Sequence, residues 1–272
     1  MLVKQRPVMR YHGGKWRLAA WIISHFPAHD VYIEPFSGAA SVLMQKPCTG
    51  TEVLNDKHQR LISVFRVIRD PESAQRLVEL LRFTPYSEAE YKACREVAED
   101  PVEDARRMLV LAHQAHGSVG ACGGKASGWR RGIRPYGPNT ADEWSRIYDH
   151  ISGWAERLRG VFIECSDYTK VIKRWDSPQA LFYVDPPYLD TTRSNGLGSY
   201  GHEFTEEDHC LLAELLNTIQ GHVVISGYPS ELYDRVLFKD WRRYERNTIA
   251  DRQQERTEVL WISPQTPEIQ PG

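Results

Sequence analysis

Hydrophobic positions along the chain fall into two periods, and each predicts a different element. Short apolar runs rich in β-branched and aromatic residues occupy 31–34, 51–54, 161–165, 180–184 and 222–225. Such continuous runs predict strands buried on both faces of a sheet. Between them, apolar residues at helical spacing predict helices over 16–26, 57–69, 72–81, 87–98 and 142–159, one from the glycine turn at Gly38 through Met44, and others starting at Pro101 and Thr205. Pro101 is well placed as a first-turn proline, and Thr205 with Asp208 forms a capping-box pattern. A helix is expected to open at 226–229 and run to Val236, and the runs 241–245 and 257–262 predict an antiparallel pair. Strands alternating with helices at both ends of the chain, and helices alone from 57 to 116, predict an α/β fold carrying a mainly helical insertion.

The run at 180–184 stops abruptly at Asp185-Pro186-Pro187-Tyr188. Neither proline can donate to a ladder, so the strand ends there and projects Asp185 and Tyr188 from its carboxyl edge. In open α/β sheets that edge is where ligands bind. The simpler alternative is a Pro-Pro turn in which Asp185 caps a neighbouring helix. Upstream, Glu34-Pro35-Phe36-Ser37-Gly38 is a strand followed by a glycine turn, the first unit of a dinucleotide-type fold. Asp56 ends the second strand, where an acid commonly accepts ribose hydroxyls; capping the following helix is an equal reading. Gly13-Gly14-Lys15 lacks the spacing of a Walker loop, which argues against a nucleotide triphosphatase.

At 272 residues the chain can hold a full α/β core and one inserted subdomain. No apolar stretch is long enough to span a bilayer, and the N-terminus has no apolar signal region, so a cytoplasmic protein is expected, away from the membrane. Five scattered cysteines form no Cys-x-x-Cys pair, which argues against a disulfide framework or a zinc knuckle. His113 and His116 lack a clear third ligand, and no metal is expected.

The net charge of −2 does not announce a nucleic-acid partner, but its distribution does. No acid occurs in the 37 residues between Asp104 and Asp142, an interval holding Arg106, Arg107, Lys125, Arg130, Arg131 and Arg134. Glycines, Trp129 and Tyr136 are interleaved with those bases over 117–140, as in a loop that contacts phosphates and bases. A second glycine-bearing stretch, 189–203, carries Arg193 and Asn195 and is expected to act as a lid or base-contacting loop.

Taken in order, these segments resemble the Dam-type N6-adenine DNA methyltransferases (α-class, D12 class). Tyr11-His-Gly-Gly-Lys15, Glu34-Pro-Phe-Ser-Gly38-Ala-Ala-Ser-Val42, Asp56, Cys165-Ser-Asp-Tyr168, Asp185-Pro-Pro-Tyr188, Ser226-Gly-Tyr-Pro and Arg256-Thr-Glu-Val-Leu-Trp261 carry the likeness. Two positions depart from the family pattern: Ala40 stands where a second glycine is usual, and Gly227 where many members have asparagine.

The resemblance implies a Rossmann-like S-adenosylmethionine-dependent methyltransferase fold with a mixed seven-stranded sheet. It implies a catalytic domain over 1–70 and 160–263 and a target-recognition insertion over 71–159; the tail over 264–272 is expected to be disordered because it is rich in proline and glutamine. Tyr11, Lys15, Asp56, Asp167 and Asp185 are implied to hold S-adenosylmethionine, with Glu34, Pro35, Phe36 and Gly38 shaping its turn and Tyr168 beside its adenine. Asp185 and the Pro186 carbonyl are implied to accept the hydrogens of an adenine amine, and Tyr188 to stack on a base flipped out of double-stranded DNA. Lys125, Trp129, Arg130, Arg131, Arg134, Arg193 and Asn195 are the expected DNA contacts, in a protein expected to act as a monomer, with a weak dimer as the alternative. Two alternatives stay open: the same chemistry on RNA, and a DNA-binding relative that has lost catalysis.

Overall fold

The computed structural model describes residues 6–117, 128–131, 139–189, 204–249 and 255–268. Seven strands, β1 (Val31–Glu34), β2 (Thr51–Asn55), β3 (Val161–Glu164), β4 (Ala180–Val184), β5 (His222–Gly227), β6 (Arg242–Ile249) and β7 (Glu255–Ile262), form one sheet in the order β3-β2-β1-β4-β5-β7-β6. The first five are parallel, and β7 reverses the direction against β5 and pairs with β6. This is the mixed α/β sheet expected. Strand order reverses between β1 and β4, so the crevice predicted for a ligand opens at their carboxyl ends.

Alternating side chains of each strand feed two apolar layers. Tyr32, Leu54, Leu181, Tyr183, Val224 and Leu260 point into one; Ile33, Val53, Phe182, Val184, Ile225 and Trp261 point into the other. Burial on both faces is why these strands read as unbroken apolar runs. The second layer is closed by helices α8 (Tyr168–Trp175) and α9 (Glu206–Leu216), whose Thr205–Asp208 capping box forms as predicted. The first is closed by α1 (Ala19–Ile23), α2 (Gln59–Arg69), α3 (Pro71–Arg82), α4 (Glu88–Ala93), α5 (Pro101–Gln114), α6 (Thr140–Trp144) and α7 (Ile151–Arg157). Residues after 70 thus share one apolar core with the sheet, so no break in packing marks position 71, where an insertion is expected. Arg60 on α2 and Asp104 on α5 also pair through two bonds of 2.9 and 2.7 Å.

Several expected helices are shorter or absent, because side chains divert their backbone groups. The helix expected over 16–26 is reduced to α1: the Ser24 hydroxyl bonds the Trp21 carbonyl at 2.7 Å and His25 Nδ1 approaches the same oxygen. The segment 39–44 folds into turns, with the Leu43 N–H drawn to Glu34 instead of a helical ladder. Beyond α4, the Ala98 N–H is taken by Asp104 and the Glu96 carbonyl by Arg107. The expected 142–159 helix is split into α6, a 3-10 turn over Ile147–His150, and α7, with Trp144, Ile147, Ile151 and Trp154 all buried on one side. The strand at 222–225 runs on to Gly227, and the helix after it covers Leu232–Leu237 with π geometry.

The tail is anchored beyond Pro264. Thr266 is buried against Ser263, and Gln265 donates to the Gly221 carbonyl; residues 269–272 lie outside the described residues. Among the described residues, no helix is long and apolar enough to cross a membrane.

Candidate active site

Pro186 and Pro187 end β4 and leave Asp185 at its carboxyl edge. The Asp185 oxygens lie 2.9 and 3.1 Å from Lys15 Nζ. Oδ1 also accepts from Ser226 Oγ at 3.0 Å, which leaves Tyr183 to donate to Ser226 at 3.0 Å. Lys15 is buried, donates to the Gly13 carbonyl at 2.8 Å, and stands 4.6 Å from the centre of the Tyr188 ring. Its Nζ is 3.5 Å from Glu258 Oε1, the atom that accepts the Tyr188 hydroxyl. Burial raises the Glu258 carboxyl above its ordinary range against the opposing pull of Lys15. Burial, with the negative charge of Asp185 and Glu258, holds the Tyr188 hydroxyl well above its usual value. Among the described residues Asp185 caps no helix; it is the acceptor at the centre of this cluster.

The glycine turn is organised by two other carboxylates. Glu34 Oε1 accepts the Tyr32 hydroxyl at 2.8 Å and the Leu43 N–H at 2.7 Å, and burial pushes its carboxyl up to about 7. Asp56 accepts the Gly38 N–H and the His58 N–H, each at 2.9 Å. The cap of α2 is His58, whose ring accepts the Leu61 N–H, so Asp56 is not the helix cap. Gly38 takes φ +48°, and a Cβ there would come within 3.2 Å of the Tyr11 ring. Ala40, the departure from the family pattern, takes φ +53°, the left-handed conformation that a glycine adopts without cost.

Asn55 joins the strand ends: its amide donates to the Pro35 and Ser166 carbonyls at 2.9 and 3.1 Å and accepts the Ser166 N–H at 2.9 Å. Asp167 caps α8 through the Thr169 N–H. The next residue, Tyr168, packs its ring 5.0 Å from that of Phe36, with Phe204 edge-on to Phe36.

Every residue expected to hold a cofactor, from Tyr11 to Asp185, lines one cavity of about 320 Å³, together with Pro186 and Tyr188. One end offers carboxylates and packed aromatic rings, as a nucleoside requires. The other offers a carboxylate, a proline carbonyl and an aromatic face, a set suited to an amine on a planar ring.

A sheet of this order, with a glycine turn after β1 and an Asp-Pro-Pro-Tyr corner after β4, has the architecture of an amino-methyltransferase. The chain belongs to the D12 class N6 adenine-specific DNA methyltransferases, whose family model matches residues 11–256. It is similar to the DNA adenine methylase of Escherichia coli (strain K12), 28% identical over 250 residues that cover 88% of this chain and 84% of the relative. The DNA adenine methylase of Salmonella typhi is 27% identical over 254 residues, covering 88% and 84%. That of Haemophilus influenzae is 23% identical over 273 residues, covering 94% and 92%. The chain is a DNA adenine-N6 methyltransferase.

The expected nucleic-acid contacts are placed less completely. Lys125, Arg134, Arg193 and Asn195 lie outside the described residues. The stretch 128–131 docks on the end of α5, where the His116 N–H meets the Gly128 carbonyl at 2.7 Å and the Arg130 N–H meets that of Gln114 at 2.8 Å. Trp129 is half-buried against the Tyr86 ring with its indole N–H on Gln114, which makes it an anchor for the stretch; Arg131 is exposed. Arg106 and Arg107, counted in the basic interval, are tied to Glu90 and Glu103. His113 is half-buried with Nε2 on the Val8 carbonyl at 3.0 Å, a structural role.

Sequence reasoning gave no role to Glu258, Ser226, Asn55, Tyr228 or Phe204. The available signal for Glu258 was its place: a charge directly before the apolar run 259–262, on the same strand face as Leu260 and Ile262.

Proposed function

We propose that this enzyme takes the methyl of S-adenosylmethionine to N6 of an adenine turned out of duplex DNA. Three features of the cavity fit that donor. The bare Gly38 turn admits close approach, Asp56 has its carboxylate fixed by two backbone N–H groups as an acceptor for ribose hydroxyls, and Phe36 with Tyr168 forms an aromatic wall for adenine. When bound, S-adenosylmethionine supplies a methyl carried on a positively charged sulfur.

The observation that carries the reading is the Asp185 carboxylate beside Pro186 and the Tyr188 ring in that same cavity. An adenine amine is a poor nucleophile because its lone pair is delocalised into the ring. Asp185 accepting one amine hydrogen, and the Pro186 carbonyl the other, orients the nitrogen and stabilises the positive charge it develops. Tyr188 gives the extruded base a face to stack on, worth roughly 1–3 kcal/mol against the cost of unstacking. Lys125, Arg130, Arg131, Arg134, Arg193 and Asn195 are assigned to the DNA backbone and bases, with 71–159 as the target-recognition part and the monomer as the working unit. The setting is the cytoplasm of a bacterium or a phage-infected cell, where such DNA is found.

The test is transfer of labelled methyl from S-adenosylmethionine to unmethylated duplex DNA with RNA as competitor, wild type beside Asp185→Ala, and modified positions mapped by single-molecule sequencing. Label on DNA adenines with the wild type alone supports the reading. Preferential labelling of RNA overturns the substrate assignment.

A further inference from the structure

We infer that Glu258 is a positioning residue for methyl transfer: it fixes the Tyr188 ring for the incoming base and holds Lys15 when Asp185 turns to the substrate amine. This rests on the roles proposed above for Asp185 and Tyr188.

Glu258 occupies an inward position of β7 and is only 4% exposed. An apolar side chain there would serve the fold as well, since burying a carboxylate costs several kcal/mol before its partners offset it. The partners it has are both at the reacting end of the cavity: the Tyr188 hydroxyl, and Lys15 Nζ at 3.5 Å. Tyr188 is thereby held on three sides. Its hydroxyl is tethered to Glu258, its ring meets Tyr228 edge-on at 4.6 Å and 76°, and Lys15 stands over one face. A ring so fixed relative to Asp185 sets the plane in which a stacked base presents its amine.

The second part concerns charge. Both oxygens of Asp185 face Lys15, and one also takes the Ser226 hydroxyl, so most of its acceptor positions are in use and the ammonium competes with an amine hydrogen for the carboxylate. Lys15 already has a second carboxylate within reach. A small displacement moves the ammonium from Asp185 toward Glu258 without leaving it unpaired in a buried site, and Asp185 is released to the substrate.

Glu258→Ala removes both functions, whereas Glu258→Gln keeps an oxygen for the Tyr188 hydroxyl and removes only the charge. Single-turnover methylation at saturating S-adenosylmethionine and DNA is expected to fall roughly a hundredfold in Glu258→Ala, the scale of a small misplacement of reacting groups. The affinity for S-adenosylmethionine stays near wild type, and Glu258→Gln recovers part of the rate. In a Tyr188→Phe background, which lacks the tethered hydroxyl, Glu258→Ala costs less than it does in the wild type, the non-additivity of coupled residues. A wild-type single-turnover rate in Glu258→Ala, a loss confined to cofactor affinity, or fully multiplicative losses in the double variant would overturn the proposal. Asp185→Ala measured alongside separates the two claims: near-normal transfer by that variant defeats the underlying reading whatever Glu258 does.

Discussion

Two buried lysine–carboxylate clusters use the same groups to opposite ends. On β2, Glu52 takes Lys46 Nζ at 3.0 Å and two guanidinium nitrogens of Arg157 at 2.6 and 3.0 Å. Lys46 directs its other donors to the Pro47 carbonyl and the Thr49 hydroxyl. Two cations close on one carboxylate and bind α7 to the sheet. At the carboxyl edge the proportion is reversed among the described residues: Lys15 stands between Asp185 and Glu258. A carboxylate saturated by cations is a permanent anchor. A carboxylate that shares its cation, and faces a cavity, keeps acceptor capacity for a ligand. The contrast between fold and chemistry lies in this balance rather than in burial, which both clusters share.

Breaking the second cluster has the largest expected effect. Asp185→Ala lowers methyl transfer by at least about a thousandfold, the upper range for loss of a single group stabilising developing charge, while its melting temperature stays close to wild type. Breaking the first cluster does the reverse. Arg157→Ala leaves Glu52 with Lys46 alone and destabilises the fold by about 3 kcal/mol, read by denaturant unfolding, with transfer per folded molecule unchanged.

Glu34 sharpens the comparison through pH, since it is a buried carboxylate bonded by the Tyr32 hydroxyl and the Leu43 N–H and, among the described residues, by no cation. The folded protein holds its proton up to about 7, against an ordinary value of 4.5. A carboxyl raised in this way supports the fold fully below its unfolded pKa, and that support is lost as pH rises through its folded pKa. Relative to Glu34→Gln, the wild type should therefore lose up to roughly 3 kcal/mol of stability between pH 5 and 8, measured as the difference between their unfolding curves. The smallest effect is at Ala40. Its left-handed backbone should relax in Ala40→Gly, which raises stability by about 1 kcal/mol or less, part of the gain being offset by glycine's greater unfolded-state freedom.

What was legible in the sequence is what is local. The apolar run before Asp185-Pro-Pro-Tyr fixed a strand end, and the Gly38 turn and Asp56 fell at the ends of β1 and β2 where such residues meet a ligand. Structure that depends on distant partners was not legible. Glu258 reaches Tyr188 from 70 positions along the chain, and only its place as a charge beside the apolar run 259–262 hinted at a site. The turn over 39–44 has helical spacing, yet Glu34 captures the amide that a helix needs. The basic interval after Asp104 looked uniform in sequence, but Glu103, one turn back on α5, and Glu90 on α4 neutralise Arg106 and Arg107. Charge counted along a chain says nothing of the partners folding supplies.

The most direct test of the central claim, that Asp185 orients an adenine amine in the cavity at the sheet's carboxyl edge, is single-turnover transfer of labelled methyl to unmethylated DNA by wild type and Asp185→Ala, each with its S-adenosylmethionine affinity measured. The account predicts label on adenines with the wild type and essentially none with the variant, whose fold is intact. Transfer by Asp185→Ala at a rate near wild type would contradict it.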